Sequence, residues 1–269
     1  MELYHRLKEA WPFFLIAGPC VVEGMDTMRQ VAERLSFLSA EFKLPLVFKS
    51  SYRKANRSSG SSPSGPGMEA GLRCLDELKR EFGFPILTDV HECEEVKAVA
   101  QICDIIQIPA FLSRQTSLIE AVAKSGRIIN IKKGQFMAPE DIIPAAIKAR
   151  NAGSDQILLT ERGTSFGYHD LVVDFRGFAI MAESGYPIVY DVTHSLQKPS
   201  LGQVSGGGPQ YAAMMARAAM ATGKVRGLFI ETHPQPHTAL SDAASMLPLD
   251  DLKALLADAI AVRKSLKED

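Results

Sequence analysis

Four residues far apart in the chain carry side chains that bind transition metals. Cys20 closes the apolar run FLIAGPC, His194 closes PIVYDVTH, Glu231 lies in GLFIETH, and Asp242 stands eleven residues past Glu231 in the loop THPQPHTALSD. Thiolate, imidazole and two carboxylates make a mixed donor set for one divalent ion such as Zn²⁺, Fe²⁺ or Mn²⁺, and do not select among them. A lone cysteine is more often a small buried hydrophobe, which is how Cys74, Cys93 and Cys103 read. The same stretches gather cations: Lys49, Lys54, Arg57, Arg114, Lys132, Lys133 and Arg162. Cations in that number on a chain of net charge −1 suit a small polyanion, because guanidinium forks pair with phosphate oxygens. The segment KANRSSGSSPSGPG adds hydroxyls and backbone amides beside Lys54 and Arg57, although its composition is also that of an ordinary loop.

These residues must be brought together by the elements that precede them. Eight short apolar or β-branched runs punctuate the chain: FLIAGPC, LVFKSS, PILTDVHE, DIIQIPA, IINIKKGQ, QILLTERG, PIVYDVTH and GLFIETH. Amphipathic segments separate them, such as APEDIIPAAIKARNAG, where Pro139 suits a first helical turn and Gly153 a stop. Strands alternating with helices pair in parallel through right-handed crossovers, and eight units in about 250 residues predict a (β/α)₈ TIM barrel. A doubly wound open sheet is the alternative. In a barrel every strand ends on one rim, so Cys20, Lys49, Asp89 with His91, Gln107, Lys132 with Lys133, Glu161 with Arg162, His194, and Glu231 with His233 converge. Closure sets the first strand beside the eighth and the eighth beside the seventh, which makes Cys20, Glu231 and His194 neighbours.

Bulk composition excludes other classes. At 269 residues and 46% hydrophobic content the chain is long enough for one barrel domain, expected over 1–269. Thirty basic against 31 acidic residues give no global pull toward nucleic acid or an anionic membrane. No run reaches the roughly 18–20 apolar residues of a membrane span. The apolar run Trp11–Val22 is not a signal peptide, because Glu2, Arg6, Lys8 and Glu9 cancel where net positive charge is needed and Pro19 sits at the would-be cleavage site. Four cysteines without CxxC spacing point to a reducing cytoplasm.

The strings IAGPC, FKSSYRKANRSS, TDVHE, DIIQIPAFLSRQT, INIKKGQF, TERGTSFGY, DLVVDF, YDVTHS, SGG, FIETHPQP and ALSDAASMLPL run nearly end to end. Together they resemble the 3-deoxy-D-manno-octulosonate 8-phosphate synthases, which join phosphoenolpyruvate to arabinose 5-phosphate for the lipopolysaccharide inner core. The resemblance implies a (β/α)₈ barrel and a cytoplasmic homotetramer. It also implies the metal-dependent branch, since cysteine rather than asparagine stands in AGPC, with Cys20, His194, Glu231 and Asp242 at the ligand positions. By the same matching Lys54, Lys132 and Arg162 contact phosphoenolpyruvate, with Gln107 and Ala110 nearby and Lys49 in the cation ring. Asn56, Arg57 and Ser58 face the sugar phosphate, Asp89 and His91 line the site, and Arg114 lies near a subunit boundary. Two strings depart from the family: Ser61 and Ser64 replace a histidine and an arginine, and Gly208, Pro209 and Gln210 follow SGG where an arginine is usual. The rival readings are a heptulosonate 7-phosphate synthase using erythrose 4-phosphate, which typically has a KPRTS-like string in place of KANRSS, and a non-catalytic sugar-phosphate-binding barrel.

Overall fold

All eight apolar runs form strands that pair in parallel in chain order: β1 (Phe14–Gly18), β2 (Leu46–Lys49), β3 (Ile86–Asp89), β4 (Ile105–Ile108), β5 (Ile128–Lys132), β6 (Ile157–Glu161), β7 (Ile188–Asp191) and β8 (Val225–His233). β8 pairs back onto β1, with Phe14 opposite Gly227 and Gly18 opposite Glu231, and this closes the (β/α)₈ barrel. The computed structural model describes residues 2–55, 64–199 and 206–266. Asn56, Arg57, Ser58 and Ser61 lie outside them.

Side chains alternate faces along a strand, and that period of two builds the interior in layers. Phe14, Ile16, Val47, Leu87, Ile105, Ile128, Leu158, Val189 and Phe229 form one buried cluster inside the barrel. Leu7 of helix α1 (Leu3–Lys8) joins that cluster, and Leu3 and Tyr4 pack against it. Two residues further along five of the strands the same inward column turns charged or amide-bearing: Val47 leads to Lys49, Leu87 to Asp89, Ile105 to Gln107, Val189 to Asp191 and Phe229 to Glu231. An apolar floor therefore lies directly beneath a polar rim. Each large floor residue contributes about 1.5–3 kcal/mol by burial, which helps offset the desolvation of the charges above it.

Outward-facing strand residues pack against the helices. In α2 (Met25–Phe42), Met28, Val31, Ala32, Leu35 and Leu38 are buried at the helical spacing of three and four. Helices α3 (Met68–Phe82), α4 (Val96–Ile102), α5 (Thr116–Lys124), α6 (Ile143–Asn151), α7 (Arg176–Ala182), α9 (Ala212–Ala221) and α10 (Leu252–Ser265) follow the remaining strands, with a one-turn helix α8 (Val192–Ser195) directly after β7. α6 is preceded by a 3₁₀ turn, Pro139–Ile142, as Pro139 requires, and Gly153 follows in a left-handed conformation. Cys93 opens a 3₁₀ turn, Cys74 lies within α3, and Cys103 is fully buried. No helix is long and apolar enough to cross a membrane among the described residues.

Candidate active site

Gly18 explains why β1 ends as it does. A Cβ there would lie 2.0 Å from the Lys49 carbonyl oxygen, so glycine alone lets β1 and β2 approach, and Cys20 emerges between them and β8. The thiol Sγ sits 2.9 Å from Asp242 Oδ2 and donates to it. Ligand atoms of Cys20, Glu231 and Asp242 all lie within 4.8 Å of one another. His194 Nε2 completes the group at 3.6 Å from Glu231 Oε2 and 3.8 Å from Asp242 Oδ2. The neighbouring staves of β1, β8 and β7 thus bring together all four residues singled out from the sequence, with His194 presented by α8 rather than by the strand itself.

Two observations fit this quartet to a cation. Glu231 is fully buried, and its Oε2 has no hydrogen-bond partner among the described residues. A naked carboxylate oxygen in that position costs free energy unless a positive group meets it. The imidazole is also preset: Asp191 accepts the His194 backbone N–H at 2.9 Å through Oδ1 and faces Nδ1 at 2.8 Å through Oδ2. The carboxylate at Nδ1 fixes the ring so that Nε2 faces Glu231 and Asp242. Burial, with Asp242 and Glu231 next to it, pushes the Cys20 thiol well above its ordinary pKa, and a divalent cation is the group that would reverse this.

Electrostatics around the quartet are paired charge by charge. Lys49, 1% exposed, donates to Glu231 Oε1 at 2.5 Å and to the Cys20 carbonyl at 3.0 Å. Burial alone would raise the Glu231 carboxyl, but Lys49, His194, Lys54 and Lys132 outweigh it and hold it well below the carboxylate range. Burial likewise opposes ionisation of Asp191, and His194 and Lys132 overcome it, so its pKa falls. Lys132 forms a very short ion pair with Asp191 and lies 3.8 Å from the Phe229 ring centroid. Its own pKa is lowered by burial despite that partner. At Lys54, burial acts against the charge, while Cys20, Glu231, Asp89 and Asp242 raise its pKa well above the usual value.

Beside the quartet opens a cavity lined by Lys49, Lys54, Lys132 and Arg162 together with Asp89, His91, Gln107, Ala110 and His194. Arg162 Nη2 donates to Gln197, whereas its buried Nη1 has no hydrogen-bond partner among the described residues. Asp89 accepts from Ser51 at 2.5 Å and lies 3.1 Å from His91 Nε2. Gln107 accepts from Asn130, and Asn130 accepts from Thr160, so the carboxamide of Gln107 has a fixed orientation. Ser64, one of the two substituted positions in its loop, ties that loop to Lys54 through its carbonyl, which accepts the Lys54 N–H at 2.8 Å.

Two expected cations do not line the cavity. Lys133 is fully buried and donates to the Met137 carbonyl and Thr164 Oγ1, both at 2.9 Å, with Glu161 at 3.5 Å. Consecutive residues point to opposite faces of a strand, so Lys132 turns into the barrel and Lys133 away from it, as Glu161 does relative to Arg162. Arg114 is exposed, and its carbonyl accepts from Lys148. Sequence reasoning passed over Asp191, which lies two residues past Val189 in the inward column, and Gln197, which no strand periodicity could have located.

The family model described as the DAHP synthetase I family matches residues 9–268. The chain belongs to the DAHP synthetase I family. Within this family, 51% of positions over 264 residues are identical to a protein of Magnetococcus marinus named 2-dehydro-3-deoxyphosphooctonate aldolase, covering 98% of this chain and 92% of the relative. Proteins of the same name from Acidithiobacillus ferrooxidans and an Azoarcus species are each 52% identical. Those alignments cover 91% and 95% of this chain and 87% and 92% of the relatives. The resemblance to the octulosonate phosphate enzymes read from IAGPC, KANRSS and FIETHPQP is thereby borne out.

Proposed function

We propose that this DAHP synthetase I family member condenses phosphoenolpyruvate with arabinose 5-phosphate and water, giving 3-deoxy-D-manno-octulosonate 8-phosphate and inorganic phosphate. The observation that carries the proposal is the juxtaposition of the Cys20, Glu231 and Asp242 cluster with a cavity lined by Lys54, Lys132 and Arg162. Sequence identity of about half, nearly end to end, to proteins named for the octonate product favours the five-carbon sugar over erythrose 4-phosphate.

In this reaction C3 of phosphoenolpyruvate attacks the aldehyde carbon, water adds at C2, and the hemiketal phosphate breaks its C–O bond to release phosphate. Lys54, Lys132 and Arg162 bind the carboxylate and phosphate of the enol phosphate and offset charge that would oppose the approach of a second phosphorylated substrate. The ion pair with Asp191 fixes the Lys132 side chain at the cavity. Gln107 orients a substrate oxygen. His91, whose Nε2 lies 3.1 Å from Asp89, lines the cavity beside these groups and is held in place by that carboxylate. Cys20, His194, Glu231 and Asp242 would hold a divalent cation, which would supply Lewis-acid polarisation of a carbonyl or water oxygen. The sugar phosphate is received by the KANRSS segment, and the assembly is a cytoplasmic homotetramer with Arg114 toward a subunit boundary.

Phosphate release from phosphoenolpyruvate tests the proposal. It should require arabinose 5-phosphate, fall with a chelator and return with added divalent metal. Release with erythrose 4-phosphate in preference would instead establish the heptulosonate reaction, and release with neither sugar would leave a binding protein.

A further inference from the structure

Arg162 and the metal-ligand quartet are joined by one side chain that belongs to neither. Gln197 Oε1 accepts from Arg162 Nη2 at 2.7 Å, and Gln197 Nε2 donates to Asp242 Oδ1 at 2.9 Å. The other oxygen of Asp242 accepts from Cys20 Sγ at 2.9 Å. The amide orientation is forced by its partners, because a guanidinium can only donate and an ionised carboxylate can only accept. Among the amino acids, a neutral side chain with both an acceptor and a donor at its tip satisfies both ends. Glutamate would repel Asp242, and lysine would repel Arg162.

Backbone packing fixes the bridge on the Asp242 side. Gln197 pairs with Gly207 and Lys198 with Gly206 in a short antiparallel hairpin. A Cβ on Gly207 would meet the Ala244 carbonyl at 2.6 Å and Ser245 Cα at 2.7 Å, so the hairpin rests directly on the turn after Asp242. Asp242 itself has φ of 52°, a left-handed conformation uncommon outside glycine that aspartate tolerates. Its carbonyl accepts from Ser245 and Met246 N–H groups, and its carboxylate is held between Gln197 and Cys20.

We propose that Gln197 is a positioning residue that couples the two halves of the site: an anion fixed on Arg162 orders Gln197, which aims Asp242 at the cation. Phosphoenolpyruvate and the divalent ion then bind with positive cooperativity, and by linkage each strengthens the other by the same factor. This rests on the functional reading above, in which Arg162 takes the enol phosphate and Asp242 a metal.

The test measures Co²⁺ affinity by chelator competition, following thiolate-to-cobalt absorption, with and without phosphoenolpyruvate. It uses the full-length protein, Gln197→Met, which keeps the size and loses both bonds, and Gln197→Ala as a second variant. Melting temperatures of the metal-free forms verify folding. In the unaltered protein phosphoenolpyruvate should tighten Co²⁺ about fivefold or more. Direct attraction between the two bound charges survives in the variants, so their coupling factor should fall to about half or less of the unaltered protein's while staying above one. A coupling factor unchanged in both variants, or no coupling in the unaltered protein, overturns the proposal while leaving the functional reading standing. Absence of any thiolate-to-cobalt absorption in the unaltered protein overturns both.

Discussion

Replacing Lys49 with methionine isolates the electrostatic cost of building this rim. Lys49 and Glu231 are 1% and 0% exposed and meet at 2.5 Å. Methionine fills similar space but removes the ammonium, the bond to the Cys20 carbonyl, and a cation 5.5 Å from the Phe229 ring centroid. Glu231 would be left without a hydrogen bond from any described residue, since its Oε2 has none and meets only His194 at 3.6 Å. Breaking one side of a buried pair costs about 3–5 kcal/mol, and the residual attraction of His194, Lys54 and Lys132 for Glu231 keeps Lys49→Met near 4 kcal/mol rather than at the top of that range. For a chain of this length that is a fall in melting temperature of roughly 10 °C. Adding Glu231→Gln to Lys49→Met removes the stranded charge and should recover half or more of the loss. A divalent metal should stabilise Lys49→Met more than the unaltered protein, because it supplies the missing positive charge to Glu231. Urea unfolding of the metal-free proteins, then thermal melts with and without metal, measures each of these. A metal-free Lys49→Met protein within about 1 kcal/mol of the parent would refute the argument that Glu231 depends on Lys49.

Other perturbations reach the remaining parts of the site. Asp191→Asn removes the carboxylate facing His194 Nδ1, so metal affinity should fall about 10–100-fold in a chelator competition; unchanged affinity would show that the imidazole needs no such support. Arg162→Lys loses the planar fork and should cost about 1.5–3 kcal/mol, or roughly 10–150-fold in kcat/KM for phosphoenolpyruvate, and a smaller effect would move the anion seat elsewhere. At Glu95 burial would raise the carboxyl, but the His91 N–H, the Tyr52 hydroxyl, the Glu92 N–H and Arg53 hold it below its usual range. A depressed carboxyl stabilises the fold above its unfolded value of about 4.3, and that contribution is lost as pH falls through the lower folded value. Glu95→Gln should therefore be less stable at pH 7 yet show a shallower loss of stability in acid; an unaltered acid slope in urea titrations would contradict the assignment.

Much of the architecture was legible because strand periodicity is a local property. Each of the eight runs forms a strand, and closure of β8 on β1 makes neighbours of Cys20, Glu231 and His194 as topology requires, while Asp242 reaches them from the loop after β8. The same period of two, applied strictly, separates Lys132 from Lys133 and Arg162 from Glu161, and it points to Asp191 as the residue above Val189. Ignoring it at the strand ends is what placed Lys133 among the phosphate cations. Arg114 lies past the strand in a loop, where no periodicity assigns a facing. Gln197 was illegible in principle, because its role depends on a hairpin resting on a turn about 40 residues away. His194 shows the intermediate case, since the strand delivers it to the rim but the one-turn helix and the Asp191 cap set its ring.

The central claim is that one cation is held jointly by sulfur, nitrogen and oxygen beside the seat for phosphoenolpyruvate. X-ray absorption at the zinc edge of the zinc-loaded protein tests it most directly. The structure predicts one sulfur at about 2.3 Å with nitrogen and oxygen ligands at about 2.0–2.2 Å, the sulfur signal disappearing in Cys20→Ser. A spectrum with no sulfur ligand, or one that keeps its sulfur when Cys20 is replaced, would contradict it.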